Sequence, residues 1–215
     1  MNNKPINQSI KIVDNYDLQR NKGVPLDLDW VMSSQANTSA IERRASTFSS
    51  RRSAKKNHQA AWLVRAISCI DLTTLAGDDT VGRVHRLCDK AANPVHKSIL
   101  ENLGVSKINV GAVCVYHDMI ETAVKRLEGT GIPVAAVSTG FPAGLSPMRL
   151  RVAEIEDSVQ AGAHEIDIVI SRRNVLTQNW MALYKEIVSF RQACGDAHMK
   201  AILATGELGS CLLYT

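Results

Sequence analysis

Residues 165–170 read Glu-Ile-Asp-Ile-Val-Ile, a short run rich in β-branched residues that predicts a buried strand. Residues 147–161 before it and residues 179–194 after it carry apolar side chains with helical spacing. A strand that lies between two amphipathic helices is typical of one repeat of an α/β fold. This stretch therefore predicts strand–helix repeats, and the same alternation extends along the chain.

Four other β-rich runs continue the pattern, and their starts are about 33 residues apart, the length of one strand–helix unit. Helical spacing also recurs in residues 80–92 and 118–128. Alternating strands and helices imply right-handed crossovers and a parallel sheet. Such a sheet either closes into a barrel with helices on one face or stays open with helices on both, and periodicity does not separate the two. The four runs are residues 66–70, 110–116, 133–137 and 199–203.

Composition restricts the class of protein. The chain has 215 residues, of which 45% are hydrophobic and 21% charged, which indicates a globular protein with one sizeable core. No apolar stretch is long enough for a transmembrane span, and the polar start of the chain lacks the apolar segment of a secretory leader. The five cysteines form no C-x-x-C pair, which is typical of reduced thiols in a cytoplasmic protein.

The positive charge is concentrated near the N-terminus. Residues 1–60 hold ten Lys or Arg against five Asp or Glu, whereas the rest of the chain is nearly balanced. Phe48 is the only aromatic residue inside the basic run, so the run offers little for nucleic-acid bases to stack on. The pattern therefore favours a solvated helix face over nucleic-acid binding. Residues 1–38 are expected to form a polar, mobile tail, and residues 39–62 a basic helical segment that continues towards Ile67.

Two charged residues interrupt neighbouring predicted strands. Asp167 lies inside an apolar run, where an unpaired carboxylate is costly, and Lys200 occurs one strand–helix unit later. If both side chains point inward, they form an ion pair that prepares Asp167 for proton transfer or tunes a neighbouring amine. Alternatively, Lys200 marks the solvent-facing start of its strand and Asp167 caps a turn. Spacing alone leaves both readings open.

Other common site patterns are absent from the sequence. No G-x-G-x-x-G follows the first predicted strand and no G-x-x-x-x-G-K-[ST] occurs, so neither dinucleotide nor P-loop binding is predicted. No two histidines stand at i, i+4 spacing, and no metal site is expected. Cys114, on the second predicted strand, is either a thiol that lines a pocket or an inert buried cysteine.

Five motifs in order resemble the deoxyribose-phosphate aldolase family, over about residues 40–209. Around residues 43–44 and 59–63 the chain is similar to the eukaryotic branch of that family. The resemblance implies a class I aldolase, a lyase, on a TIM (β/α)8 barrel, with the partial barrel over residues 63–209. The motifs are IDLTTL at 70–75, AVCVY at 112–116, GFPAG at 140–144, GAHEIDIVI at 162–170 and KAILATGEL at 200–208.

The resemblance also implies a reaction and roles for residues. The family reversibly cleaves 2-deoxy-D-ribose 5-phosphate to D-glyceraldehyde 3-phosphate and acetaldehyde through a lysine Schiff base, without a metal or organic cofactor. By motif, Asp167 matches the proton donor and acceptor, and Lys200 a lysine of the polar network around it. The implied partner is a small phosphorylated sugar, with neither nucleic acid nor membrane, and a homo-oligomer is possible. Asp71 and Thr73 match the polar lining of the substrate pocket, and Cys114 its thiol.

One departure from the family concerns the nucleophile. The family's Schiff-base lysine lies in a Lys-Thr-Ser-Thr-Gly-Lys segment on the sixth strand, and neither that segment nor the later Phe-Lys-Pro-Ala-Gly-Gly segment occurs here. Residues 210–215 do not continue the resemblance. A complete barrel needs roughly 250 residues, so we expect five of its eight strand–helix units in this chain. Because the Schiff-base lysine is missing, we also expect this fragment to be inactive. The alternative is a shorter, non-catalytic form that associates with a partner or a full-length subunit.

Overall fold

The computed structural model describes residues 23–51 and 54–209. The expected C-terminal tail at 210–215 and the first 22 residues of the expected N-terminal tail lie outside the described residues. Within the described part, no helix is long and apolar enough to cross a membrane.

Five parallel strands form one sheet in the order β1-β2-β3-β4-β5. Because each strand pairs with the next one along the chain, every connection is a crossover that carries at least one helix. Strands β2 to β5 fall on the predicted β-rich runs. The strands are β1 Asp71–Thr73, β2 Ala112–Val115, β3 Val134–Ser138, β4 Glu165–Val169 and β5 His198–Ile202.

The position predicted for the first strand is wrong. Residues 66–70 end a helix, and turn hydrogen bonds from the Cys69 and Ile70 amides to the carbonyls of Ala66 and Ile67 follow it. The strand begins at Asp71, directly after the apolar run. The apolar residues of this region thus belong to a helix end, whereas the strand itself carries polar residues.

Nine α-helices and three one-turn 3-10 helices complete the described part. The four helices predicted from spacing are present as α4, α6, α7 and α9, with ends shifted by at most two residues, whereas α1, α5 and α8 were not predicted. Helix α1 lies inside the segment that was expected to be a mobile tail. The helices are α1 Leu28–Ser33, α2 Thr38–Ser46, α3 Lys56–Ile67, α4 Val81–Ala92, α5 Lys97–Leu103, α6 Ile120–Leu127, α7 Met148–Gln160, α8 Arg172–Leu176 and α9 Trp180–Ala193.

The basic segment forms two helices instead of one continuous helix. After α2, the hydroxyls of Ser46 and Thr47 donate to the carbonyls of Arg43 and Arg44, at 2.9 and 2.7 Å. Such local bonds compete with continued helix formation. None of the residues of α1, α2 or α3 is classed as buried. The exposed basic residues near the end of α2 agree with a solvated face.

The main core lies between one face of the sheet and the helices. Strand residues such as Val113, Val134 and Ile166 form a single buried cluster with residues of α4, α6, α7 and α9. Helices therefore cover one face, as in a barrel, and not both faces as in an open sheet. The helical contributors include Val84, Ile120, Ile155 and Phe190.

The sheet is strongly rolled. Lys200 on β5 contacts Asp71 on β1, although these strands form opposite edges of the sheet. In a flat sheet, four steps of about 4.8 Å would place these edges about 19 Å apart, which is too far for the two side chains to meet. The inner face of the sheet is therefore concave, and its side chains converge.

Candidate active site

The inner face carries all five residues singled out from the sequence. Successive side chains of a strand point to opposite faces, and the register pairs Thr73 with Cys114 and Asp167 with Lys200. Asp71 lies two residues before Thr73 and shares its face. The parallel register thus places these side chains on the concave side of the sheet, away from the helices.

Lys200 is the centre of a charged cluster. Its ammonium forms ion pairs with Asp71, with Glu165 at 2.9 Å and with Asp167 at 3.1 Å. Of the two readings left open by the sequence, the structure shows the inward ion pair. The side chain of Lys200 is 31% exposed and that of Asp167 only 14%, so the ion pair is mostly buried but still reached by solvent.

Three carboxylates surround one ammonium, and burial of Asp167 has the largest influence on its protonation. Burial raises the pKa of Asp167 above its usual range; the charge of Lys200 opposes this, whereas Asp71 and Glu165 add to it. The net result is a raised pKa, which favours a carboxyl that can hold a proton. Asp167 is therefore suited to donate and accept protons.

The same contacts keep Lys200 charged. Burial lowers the pKa of Lys200, but hydrogen bonds to Asp71 and Glu165 and the charge of Asp167 outweigh burial and raise that pKa above its usual range. A nucleophilic amine must be unprotonated. The contacts of Lys200 therefore favour its protonated form, which is not nucleophilic.

Cys114 lies beside the acid. Its thiol contacts Asp167 Oδ2 at 3.7 Å, and burial, helped by the charge of Asp167, raises the pKa of Cys114 to about 12. The cysteine is 3% exposed. It is therefore a neutral thiol that packs against the acid, and not a reactive thiolate.

Two further polar side chains, Thr73 and Glu165, lie on the inner face. The hydroxyl of Thr73 donates to the carbonyl oxygen of Asp71 at 2.8 Å, so it shares the inner face without a described contact to Lys200. Glu165 was not singled out, yet it contacts Lys200 directly. Its position two residues before Asp167 on a strand was the available signal, because such residues share a face.

Two aromatic side chains pack on the inner face near the carboxyl ends of β2 and β3. Tyr116 follows β2, Phe141 follows β3, and their rings meet edge to face with centroids 6.0 Å apart. Both pack on the inner cluster that includes Cys114. A Cβ on Gly144 would lie 2.9 Å from a methyl carbon of Val169, and the φ of Gly144 is +70°. The loop that carries Phe141 therefore needs glycine to turn tightly against β4.

No group of three His, Cys, Asp or Glu side chains within residues 23–51 and 54–209 has the arrangement of a metal site. The three carboxylates of Asp71, Glu165 and Asp167 contact the Lys200 ammonium.

Replacing Asp167 with asparagine should stabilise the fold at neutral pH by roughly 0.5–2 kcal/mol, the range of a typical stabilising substitution. A carboxyl whose pKa is raised on folding loses stability as pH rises from its unfolded pKa through its folded one. The advantage of Asp167→Asn should thus be small at strongly acidic pH and grow with pH. Urea unfolding of both proteins from pH 3 to pH 8 measures this, and an advantage that shrinks with rising pH would contradict it.

Two relatives with similar sequences carry the same name. The chain is 52% identical over 193 residues to the deoxyribose-phosphate aldolase of Mus musculus, and 50% identical over 194 residues to that of Homo sapiens. Each match covers 88% of this chain and 61% of the relative. The chain thus spans about three fifths of the length of these relatives.

The fold is also similar to solved structures. A tetrameric deoxyribose phosphate aldolase from Aeropyrum pernix superimposes with a TM-score of 0.52 at 22% identity, over 67% of this chain and 54% of that one. This likeness concerns the fold, and it agrees with an incomplete (β/α)8 barrel of which the described residues form five units. The sequence model of the DeoC/LacD family aldolases matches residues 65–209. The chain therefore belongs to the DeoC/LacD family of aldolases.

Proposed function

We propose that this chain carries the proton-transfer part of a deoxyribose-phosphate aldolase site. The reaction would be the reversible cleavage of 2-deoxy-D-ribose 5-phosphate to D-glyceraldehyde 3-phosphate and acetaldehyde. The observation that carries the proposal is the cluster of Asp71, Glu165 and Asp167 around Lys200 on the concave face. The shared name of the mouse and human relatives supports it.

In this proposal Asp167 is the catalytic acid and base. Cleavage of the carbon–carbon bond requires a proton to leave the substrate hydroxyl and a proton to reach the carbon that becomes the methyl group of acetaldehyde. A carboxyl with a raised pKa beside a fixed ammonium serves both transfers, since it exchanges protons near neutral pH more readily than an ordinary aspartate. Lys200 would hold Asp167 in place and limit how far its pKa rises.

The Schiff-base lysine is proposed to come from outside this chain. Lys200 is the one lysine on a described strand, and its ion pairs keep it protonated. Because the chain spans 61% of the mouse relative, the remaining length of such a relative can supply the amine and the phosphate site. We therefore propose that the 215 residues alone do not cleave the substrate. A cytoplasmic location for the protein is a separate prediction.

The test compares the chain with a chimera that joins it to the unmatched remainder of the mouse relative. Each protein is treated with 2-deoxy-D-ribose 5-phosphate and borohydride, which reduces a Schiff base to a stable amine, and is then weighed and mapped by peptide mass spectrometry. We expect no adduct on the chain alone, and one adduct on the chimera at a lysine of the added segment. Production of acetaldehyde should follow the same pattern.

Two outcomes would contradict the proposal. A stable adduct on Lys200 of the chain alone would show that this lysine is the nucleophile. The proposed activity would also be contradicted by a chimera that folds, as judged by its circular dichroism, but forms neither adduct nor acetaldehyde. A chimera with Lys200→Arg serves as the control for non-specific reduction at that position.

Association with another copy or with a full-length subunit is the second candidate function. It is favoured by the two sheet edges, where Ile70 before β1 is 42% exposed and Leu203 after β5 is 51% exposed. Unpaired strand edges beside exposed apolar side chains favour association. The chimera separates the two candidates, because association alone would give no acetaldehyde.

A further inference from the structure

Glu154 on α7 joins the loops that follow β2 and β3. Its Oε2 accepts a hydrogen bond from the backbone amide of Gly140 at 2.7 Å, and its Oε1 lies 2.9 Å from Nε2 of His117. The carboxylate is 21% exposed. One side chain thus fixes the start of the loop that carries Phe141 and the residue after Tyr116.

The contacts around His117 suit its imidazolium form. Its Nδ1 lies 3.3 Å from the hydroxyl oxygen of Ser158, and that hydroxyl lies 2.8 Å from the carbonyl of Glu154, to which it can donate its own hydrogen. In that arrangement the Ser158 oxygen accepts from Nδ1, while the Glu154 carboxylate accepts from Nε2. Each ring nitrogen then has an acceptor, as the imidazolium form requires.

We propose that Glu154 and the imidazolium of His117 form a pH-dependent latch that holds Phe141 and Tyr116 against the inner cluster around Cys114. Gly140 immediately precedes Phe141, and Tyr116 immediately precedes His117. The latch therefore acts on the backbone beside each ring. It rests on contacts within this chain, so it stands independently of the aldolase activity proposed above.

The charges near His117 all favour its cationic form. The hydrogen bond to Glu154 is the largest influence and raises the pKa of His117, burial opposes it, and the charges of Glu154, Asp118 and Asp157 add to it. Asp79 and His117 both line a pocket of about 270 Å³. As pH rises through this raised pKa, the ring loses one of its two donors and the latch weakens.

The test follows the loop by hydrogen exchange and the thiol by alkylation. Glu154→Gln should speed exchange of the Gly140 amide and alkylation of Cys114 by iodoacetamide by about tenfold, the effect of losing a charge-assisted hydrogen bond. Glu156→Gln, on the exposed side of the same helix, should behave as the unmodified chain does. Exchange rates are corrected for the intrinsic effect of pH.

The pH profile separates a latch from a merely structural contact. In the unmodified chain, protection of Gly140 should fall as pH rises through the His117 titration, which an NMR titration of the same protein would locate. His117→Gln should remove that step. Equal exchange in Glu154→Gln and Glu156→Gln, or a step that persists in His117→Gln, would overturn the proposal. If Glu154→Gln fails to fold, the step in the unmodified chain and its loss in His117→Gln remain decisive.

Discussion

Replacing Arg151 with methionine should destabilise the protein by about 3–5 kcal/mol, the cost of breaking a buried ion pair by removing one partner. The side chain of Arg151 is 4% exposed and that of Glu186 is 9% exposed. All five guanidinium hydrogens have acceptors: Glu186 accepts two of them, and Thr139, Val169 and Ser171 accept one each. The substitution removes all five of these bonds and leaves a buried carboxylate without its cation, although Ser171 still donates to Glu186.

Urea unfolding measures this effect, and Arg149→Met provides a matched control. Arg149 belongs to the same helix and is exposed, so its replacement should change stability by at most about 0.5 kcal/mol. The double variant Arg151→Met with Glu186→Leu should recover part of the loss, since it removes the unpaired carboxylate as well. Equal effects of Arg151→Met and Arg149→Met would show that the buried pair is not a stabilising element.

In the chimera described above, Asp167→Asn is expected to lower kcat by about 10²- to 10⁴-fold, the usual contribution of a general acid or base. Asparagine keeps the shape of the side chain but cannot exchange the proton. Because the same change should stabilise the fold, the loss of activity would not reflect unfolding. Steady-state rates of acetaldehyde release measure it.

Asp29, an exposed aspartate of α1, provides the control for this loss of kcat. Asp29→Asn in the same chimera should leave kcat unchanged, since Asp29 lies outside the strands and their loops. A kcat for Asp167→Asn within about threefold of the unmodified chimera would assign proton transfer to another group. A change of about threefold in kcat would be smaller than the loss expected on removal of a general acid or base.

The alternation of strands and helices was predictable because most strands are apolar on the helix-facing side. Residues 165–170 show this well, since Ile166 and Ile168 are fully buried against the helices. The first strand was misplaced because Asp71 and Thr73 leave it with little apolar character. The buried position of Arg151 was also not predictable, because its partner Glu186 lies 35 residues away on another helix.

For the site, the motif resemblance supplied Asp71, Thr73 and Cys114, and charges inside two neighbouring apolar strands pointed to Asp167 and Lys200. Strand alternation applied to Glu165 would have added the third carboxylate. The contact between His117 and Glu154 had no such signal, because it joins a loop to a helix and depends on how α7 packs. Contacts made through strand register are thus accessible from sequence, whereas contacts made through helix packing are not.

The contact between Lys200 and Asp71 has a consequence for folding. These residues are 129 positions apart, and contacts of such long sequence separation form slowly because the intervening chain must first be ordered. The charged cluster therefore assembles only when the first and fifth strands are both in place. Partly folded forms that lack either strand would contain neither the complete ion-pair network nor an acid tuned by it.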